Sequence, residues 1–135
     1  MRYTRRPGVY VVIEHGNDIL LTFQGGEFQE YQLPGGGVDP GEHMIPALHR
    51  EVMEETGWTI HGIRRLGAFR RFTYMPEYDL WAEKLCTLYR AKAGLRLSDP
   101  SEPDHDAVLV PRQSALGLID NPGDWHFLNR VRNRR

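Results

Sequence analysis

The sequence predicts an α+β fold, in which a mixed β-sheet packs against a small number of helices. The first observation is a hairpin pattern, because residues 8–13 and 19–23 are rich in β-branched and aromatic residues and a turn at 15–18 separates them. The second is a helical pattern that follows a glycine-rich turn. The third is a series of further strand-like segments, after which two short helical patterns close the sequence.

The helical pattern begins at Glu42 or His43 and ends at Gly57, which suits a helix C-terminal cap. Pro46 falls in the first turn, where its missing N–H is tolerated. Three apolar residues at helical spacing are expected to face the core: Ile45, Leu48 and Val52.

The remaining segments are assigned by composition and by their turn residues. A short strand at 31–33 leads into the glycine turn, and a polar segment with two prolines at 95–105 is expected to be a loop. The other predicted strands are 58–63, 66–74, 84–91 and 107–110, and the predicted helices are 113–118 and 124–131.

Composition suits a single domain, residues 1–135, of ordinary soluble character, with 40% hydrophobic and 26% charged residues. No apolar run is long enough for a signal peptide or a membrane span, so no membrane partner is expected. The net charge of −1 neither supports nor excludes nucleic acid. Cys86 is the only cysteine; it is expected to be a small buried hydrophobic residue, and it fits a reducing, cytoplasmic location.

Three carboxylates, Glu51, Glu54 and Glu55, project from roughly one side of one helical turn, since a helix advances about 100° per residue. Their mutual repulsion requires compensation, and Mg²⁺ or Mn²⁺ prefers oxygen ligands of this kind. The alternative is a solvated acidic face on a surface helix.

The residues around these carboxylates make the metal interpretation specific. They follow the spacing Gly-x5-Glu-x7-Arg-Glu-U-x-Glu-Glu-x-Gly-U, where U is a bulky apolar residue, and this resembles the Nudix box. Every specified position matches: Gly36, Glu42, Arg50, Glu51, Val52, Glu54, Glu55, Gly57 and Trp58. The resemblance implies a mixed β-sheet sandwiched between helices, with the box as a loop–helix–loop, and a hydrolase that cleaves phosphoric anhydrides.

The resemblance also implies roles for the box residues. Glu51, Glu54 and Glu55 would bind the divalent metal, with help from a carbonyl of the glycine turn at Gly36. Arg50 would orient the acidic cluster through its planar fork of donors. Glu42 would support Arg50 or the metal, although a favourable interaction with the helix dipole could be its whole role.

The resemblance implies that the base that activates water is either a box glutamate, such as Glu54 or Glu51, or an acid from a later loop. The run Asp104-His105-Asp106-Ala107-Val108 resembles the segment that carries it, with Asp where Glu is frequent. Asp104 is therefore the first candidate and Glu102 the second, while a polar loop with no catalytic role is the alternative for each. His105 is expected to be a structural or hydrogen-bonding residue.

Substrate binding is expected outside the box, with Arg70, Tyr74 and Tyr78 as candidates for phosphate pairing and base stacking. Arg70 and Arg71 should face opposite ways on a strand, so at most one reaches the site. The expected substrate is a nucleoside triphosphate. Dinucleoside polyphosphates and nucleotide sugars of the ADP-ribose type are the alternatives. The rival from another class is a non-catalytic module that senses nucleotides or binds RNA, and a homodimer stays open.

Overall fold

The computed structural model describes residues 3–26, 29–76 and 78–132, and within them a mixed β-sheet carries helices on both faces. The strands are β1 (Tyr3–His15), β2 (Asp18–Gln24), β3 (Glu30–Gln32), β4 (Gly35–Gly37), β5 (Trp58–Met75), β6 (Leu80–Arg96) and β7 (His105–Pro111). The helices are α1 (Met44–Thr56), α2 (Arg112–Leu118) and α3 (Pro122–Arg132).

The strand order is β3-β2-β1-β6-β5, while β4 pairs with β1 and β7 pairs with β2. β1 runs parallel to β6, whereas the β1–β2 and β5–β6 pairs are antiparallel, which makes the sheet mixed. The predicted hairpin is confirmed, because Ile13 lies opposite Leu20 and His15 opposite Asp18.

Alternation along β1 places its side chains in two cores, one on each face of the sheet. Val9 and Val11 are buried under α1, together with Leu48 and Val52 of that helix. Val12 points the other way, into a core that α2 and α3 cover. Each fully buried Val or Leu side chain contributes roughly 1.5–3 kcal/mol to stability. The sandwich of helix, sheet and helix is therefore the observed architecture.

Helix α1 agrees with its prediction at both ends, but not on every core residue. His43 is the N-cap, and Gly57 at the C-cap adopts φ 75° and donates its N–H to the Met53 carbonyl. A Cβ at Gly57 would also lie 1.9 Å from the Ser98 carbonyl oxygen, so glycine is required. Ile45 is 39% exposed, contrary to expectation, and Ala47 takes the buried position in that turn.

Two further differences concern the strands. The segments predicted as separate strands at 58–63 and 66–74 form the single strand β5, whose register shifts are absorbed near Gly62 at φ 64°. The glycine turn contains the short strand β4, which pairs with Gly8–Tyr10 of β1. Cys86 is buried, as predicted.

None of the helices in the described ranges has the length and apolar character that a membrane crossing requires.

Candidate active site

Arg50 of α1 lies at the centre of a network that joins the helix to the glycine turn. Its Nε and Nη2 donate to the two carboxylate oxygens of Glu42, each at 2.8 Å, and its Nη1 donates to Glu51 Oε1 at 2.9 Å. Longer contacts of 3.3–3.4 Å reach Glu54, and Nη2 also donates to the Gly37 carbonyl at 3.0 Å. One guanidinium thus holds three carboxylates and a carbonyl of the turn.

These contacts have clear electrostatic consequences. The hydrogen bonds from Arg50, with a second from the Asp39 backbone N–H, lower the pKa of Glu42 to about 2. The same pairing with Glu42, and then with Glu51, raises the pKa of Arg50 above its ordinary value. Glu42 and Arg50 are therefore both charged over the whole physiological pH range.

Glu51 lies directly against Gly36. A Cβ built on Gly36 would stand 2.3 Å from Glu51 Oε2 and 2.5 Å from its carboxyl carbon. Only a residue without a side chain allows that approach. The glycine at this position therefore brings the backbone of the turn against a carboxylate of α1.

Glu55 is the most deeply placed of the three carboxylates, at 9% exposed. Its Oε1 accepts a hydrogen bond from the Gly35 N–H at 2.9 Å. Burial, together with the charges of Glu51, Glu102 and Glu54, raises the pKa of Glu55 to about 8, against the opposing effect of that hydrogen bond.

The negative charge of Glu51 is also only partly compensated by its neighbours. Burial raises its pKa, Arg50 opposes that rise, and Glu54 and Glu102 add to it. Four carboxylates thus share a region in which one guanidinium is the nearest counter-charge that their contacts record. Such a cluster of oxygen donors suits a hard divalent cation, which would relieve the repulsion.

The carboxylates are not arranged around a common point in this structure. Across the ranges that the structure covers, no group of three or more His, Cys, Asp or Glu side chains converges closely enough to hold an ion. Glu51 and Glu54 turn towards Arg50, and Glu55 turns towards the Gly35 N–H. The donor chemistry therefore fits a divalent metal, and binding one requires these side chains to exchange partners.

Of the two acids predicted in the later loop, Glu102 lies nearer to the cluster. Its backbone N–H donates to the Glu54 carbonyl at 3.0 Å, and its charge acts on both Glu51 and Glu55. Asp104 is exposed and has φ 63°, and its Oδ2 would be 3.7 Å from a Cβ on Gly26. The left-handed backbone directs Asp104 towards the 25–26 turn, so the geometry favours the second choice over the first.

The three predicted substrate contacts lie on the β5–β6 hairpin. Arg70 pairs with Glu83 at 3.3 Å, and the Tyr74 hydroxyl donates to Asp79. Tyr78 is 61% exposed, with the Arg6 guanidinium 5.9 Å from its ring centroid. The contacts recorded for the covered part of the chain do not join Arg70, Tyr74 or Tyr78 to the α1 carboxylates.

Two groups near the site were missed by sequence reasoning about function. Asp124, in the first turn of α3, is 8% exposed, and burial raises its pKa to about 6. Arg71 opposes that rise, so Arg71 rather than Arg70 faces this side of the sheet. Burial also raises the pKa of Tyr10, and the charges of Asp124 and Glu55 add to that rise. Tyr10 therefore experiences the charge of α3 as well as that of the α1 carboxylates. Nothing in the local sequence around Asp124 indicated this.

His105, at the start of β7, is the second such group. Its Nδ1 is buried, has no hydrogen-bond partner within the described ranges, and lies 3.9 Å from Glu55 Oε2. The sequence predicted a structural or hydrogen-bonding residue, and it gave no signal that the ring would meet a box glutamate.

A concavity of about 450 Å³ adjoins the glycine turn, lined by Arg5, Arg6, Pro7 and residues 37–42. A separate cleft of about 370 Å³ includes Glu14, His61 and Arg90 in its lining. In that cleft Glu14 bridges Arg90 at 2.5 Å and Arg112 at 2.8 Å. Glu42 is the specified box residue that lines the first concavity, and the lining of the second contains none of them.

Comparison with known proteins agrees with the box. A family model described as the NUDIX domain matches residues 4–131. A Bacillus subtilis (strain 168) protein named "Putative 8-oxo-dGTP diphosphatase" is 31% identical over 114 residues, covering 84% of this chain and 72% of that protein. An RNA pyrophosphohydrolase of Actinobacillus pleuropneumoniae serotype 3 (strain JL03) is 31% identical over 99 residues. That match covers 73% of this chain but only 41% of the relative's length.

Solved structures show the same fold. A NUDIX hydrolase from Nitrosomonas europaea matches with a TM-score of 0.76 at 20% identity, over 93% of this chain and 87% of that one. A MutT NUDIX hydrolase from Burkholderia pseudomallei matches with a TM-score of 0.71 at 25% identity, over 95% and 98%. Because the family model covers nearly all of the sequence that carries the complete box, the chain belongs to the Nudix family of hydrolases.

Proposed function

We propose that this Nudix hydrolase is a divalent-metal-dependent pyrophosphohydrolase of nucleoside triphosphates, which converts a triphosphate and water to a monophosphate and pyrophosphate. The observation that carries the proposal is the uncompensated cluster of Glu51, Glu54, Glu55 and Glu102 beside the glycine turn. Carboxyl groups whose pKa values are raised by burial and by neighbouring like charges are candidates for a functional site.

Glu51, Glu54 and Glu55 are the proposed metal-binding side chains, with a carbonyl of the turn at Gly36 as a further donor. Bound Mg²⁺ or Mn²⁺ would neutralise polyphosphate charge and make a water molecule more acidic. Arg50, anchored by Glu42, keeps Glu51 and Glu54 beside the turn before metal arrives. Anhydride cleavage depends on such positioning and charge neutralisation more than on covalent chemistry.

Glu102 is proposed as the acid that accepts a proton from the attacking water. Its loop is fixed against α1, because the N–H groups of Ser101 and Glu102 both donate to the Glu54 carbonyl. That anchor keeps a half-buried carboxylate next to the metal-binding cluster. A base must lie within reach of the proton it removes, and the loop supplies that proximity.

A triphosphate substrate is favoured by the concavity that adjoins the turn. Arg5 and Arg6 line it and supply two positive charges there. The B. subtilis relative is named for 8-oxo-dGTP, which is also a nucleoside triphosphate. Dinucleoside polyphosphates and ADP-ribose-type nucleotide sugars are the next candidates, and a non-catalytic nucleotide-sensing or RNA-binding module is the rival.

A substrate panel tests the proposal. Purified protein is incubated with Mn²⁺ or Mg²⁺ at neutral and alkaline pH against nucleoside triphosphates, an oxidised purine triphosphate, dinucleoside polyphosphates, ADP-ribose and 5′-triphosphate RNA. Products are identified by mass, and ¹⁸O-labelled water locates the phosphorus that is attacked. The proposal expects monophosphate and pyrophosphate from a triphosphate, and loss of that activity in Glu54→Gln. Full metal-dependent turnover by Glu54→Gln overturns the site, and turnover confined to another class overturns the substrate.

A further inference from the structure

His105 presents a polar atom that the protein leaves unsatisfied at the proposed metal site. Its side chain is 12% exposed, and Nδ1 is buried with no hydrogen-bond partner among the residues that the structure describes. An unsatisfied buried polar atom destabilises the folded state, so a ring held this way requires an explanation.

The atom opposite His105 Nδ1 is a carboxylate oxygen of Glu55. Glu55 uses Oε1 to accept the Gly35 N–H, and Oε2 is the oxygen that faces the imidazole. The separation of 3.9 Å between Oε2 and Nδ1 is beyond hydrogen-bond range. In the tautomer with its proton on Nε2, His105 presents the Nδ1 lone pair on the side of this oxygen.

The separation of the two atoms is close to a ligand spacing without matching one. Donors about 2.1 Å from a common octahedral ion lie roughly 3 Å apart when adjacent and roughly 4.2 Å apart when opposite. The observed 3.9 Å is nearer to the second value, so small side-chain shifts would let both atoms bind one ion. Glu51, Glu54 and Glu102 act electrostatically on Glu55 from the same region, so oxygen donors are at hand to complete a ligand set.

We infer that His105 Nδ1 is a nitrogen ligand of the divalent ion that Glu55 binds, and that this ligand makes the site prefer Mn²⁺ or a similar transition metal to Mg²⁺. The inference rests on the proposed function, since it adds a residue to the same site. Imidazole suits transition metals, whereas Mg²⁺ strongly prefers oxygen ligands. The ligands that the box residues supply are all oxygen atoms, and His105 would add a nitrogen atom to that set.

The direct test uses the unmutated chain. Protein labelled with ¹⁵N-histidine is loaded with Mn²⁺ alone, and electron–nuclear double resonance measures coupling between the ion and the nitrogen. The expected result is a ¹⁵N hyperfine coupling in the wild type that is lost in His105→Gln. It should persist in His49→Gln, the matched control, because His49 is exposed on α1.

Calorimetry supplies a second readout. His105→Gln is expected to raise the dissociation constant for Mn²⁺ by about tenfold or more and to leave that for Mg²⁺ within about threefold. Thermal melting of both variants establishes that they fold. The wild-type coupling measurement needs no variant, so misfolding of His105→Gln leaves the inference testable.

The outcomes separate the inference from the proposed function. Tight Mn²⁺ binding without nitrogen coupling in the labelled wild type overturns the role of His105 and leaves the carboxylate site intact. An equal rise in the Mn²⁺ and Mg²⁺ dissociation constants overturns the selectivity. If the wild type binds neither metal, the proposed function fails together with the inference.

Discussion

Arg50 donates two parallel hydrogen bonds to the carboxylate of Glu42, from Nε to Oε2 and from Nη2 to Oε1, both 2.8 Å long. This fork-to-fork geometry leaves Nη1 directed at Glu51 and Glu54. Glu42 thereby orients the Arg50 guanidinium, which in turn restrains the proposed metal ligands.

Arg50→Lys should lower kcat/KM by about 10–100-fold at saturating Mn²⁺, because a lysine ammonium cannot hold Glu42 bidentately while it also restrains Glu51 and Glu54. Steady-state kinetics on the substrate found in the panel gives the measurement. Arg96→Lys is the control, since Arg96 pairs with exposed Asp99 at 2.7 Å outside the site and should keep wild-type kinetics. Unchanged kcat/KM in Arg50→Lys would rule out the restraining role.

Gly36 and Gly37 are neighbours in the turn and provide a test variant and its matched control. Gly36→Ala should lower kcat by at least about tenfold, because the new Cβ displaces the Glu51 carboxylate, which would otherwise be 2.3 Å away. Glu51 is flexible and can swing aside, so the melting temperature should change little. Gly37→Ala should behave as wild type in both assays, since a Cβ there meets nothing within 4 Å. Equal activity of the two variants would contradict the close approach as a functional feature.

The two loop acids are distinguished by conservative substitutions. Glu102→Gln should reduce kcat by about 10²–10⁴-fold, the contribution that general acid–base catalysis usually makes. Asp104→Asn should retain kcat within about threefold, because Asp104 is exposed and directed towards Gly26. The reverse ranking of the variants would restore Asp104 as the catalytic acid.

Asp124 makes stability depend on pH. Burial raises its folded-state pKa to about 6 from an ordinary 3.8, so the folded protein binds more protons than the unfolded chain between those values. The contribution of Asp124 to the free energy of unfolding should therefore fall as pH rises from about 4 to 6 and then level off. Asp124→Asn removes this penalty and should exceed the wild type by about 2–3 kcal/mol above pH 6, with no gap near pH 3.5.

Chemical denaturation of metal-free protein at several pH values measures that difference. The wild type and Asp124→Asn share all other titrating groups, so subtraction isolates the carboxyl group. A gap that stays constant across the pH range would show that burial does not perturb Asp124.

Local patterns predicted the elements that depend on neighbouring residues. The β1–β2 hairpin, the C-cap at Gly57 and the burial of Leu48 and Val52 follow from spacing and turn chemistry within about fifteen residues. Strand pairing between residues that are distant in the sequence was harder to predict. The sequence did not predict β4, because three glycines have no strand propensity and only the edge of β1 orders them.

Sequence alone determined the family and the set of box residues, because their spacing on one helix is a one-dimensional property. Tertiary structure decided which distant groups meet them. Anchoring of the 101–102 loop on α1 brings Glu102 rather than Asp104 to the cluster, and pairing of β7 with β2 places His105 against Glu55. Those contacts join residues about fifty positions apart, and they depend on chain packing that no local pattern encodes.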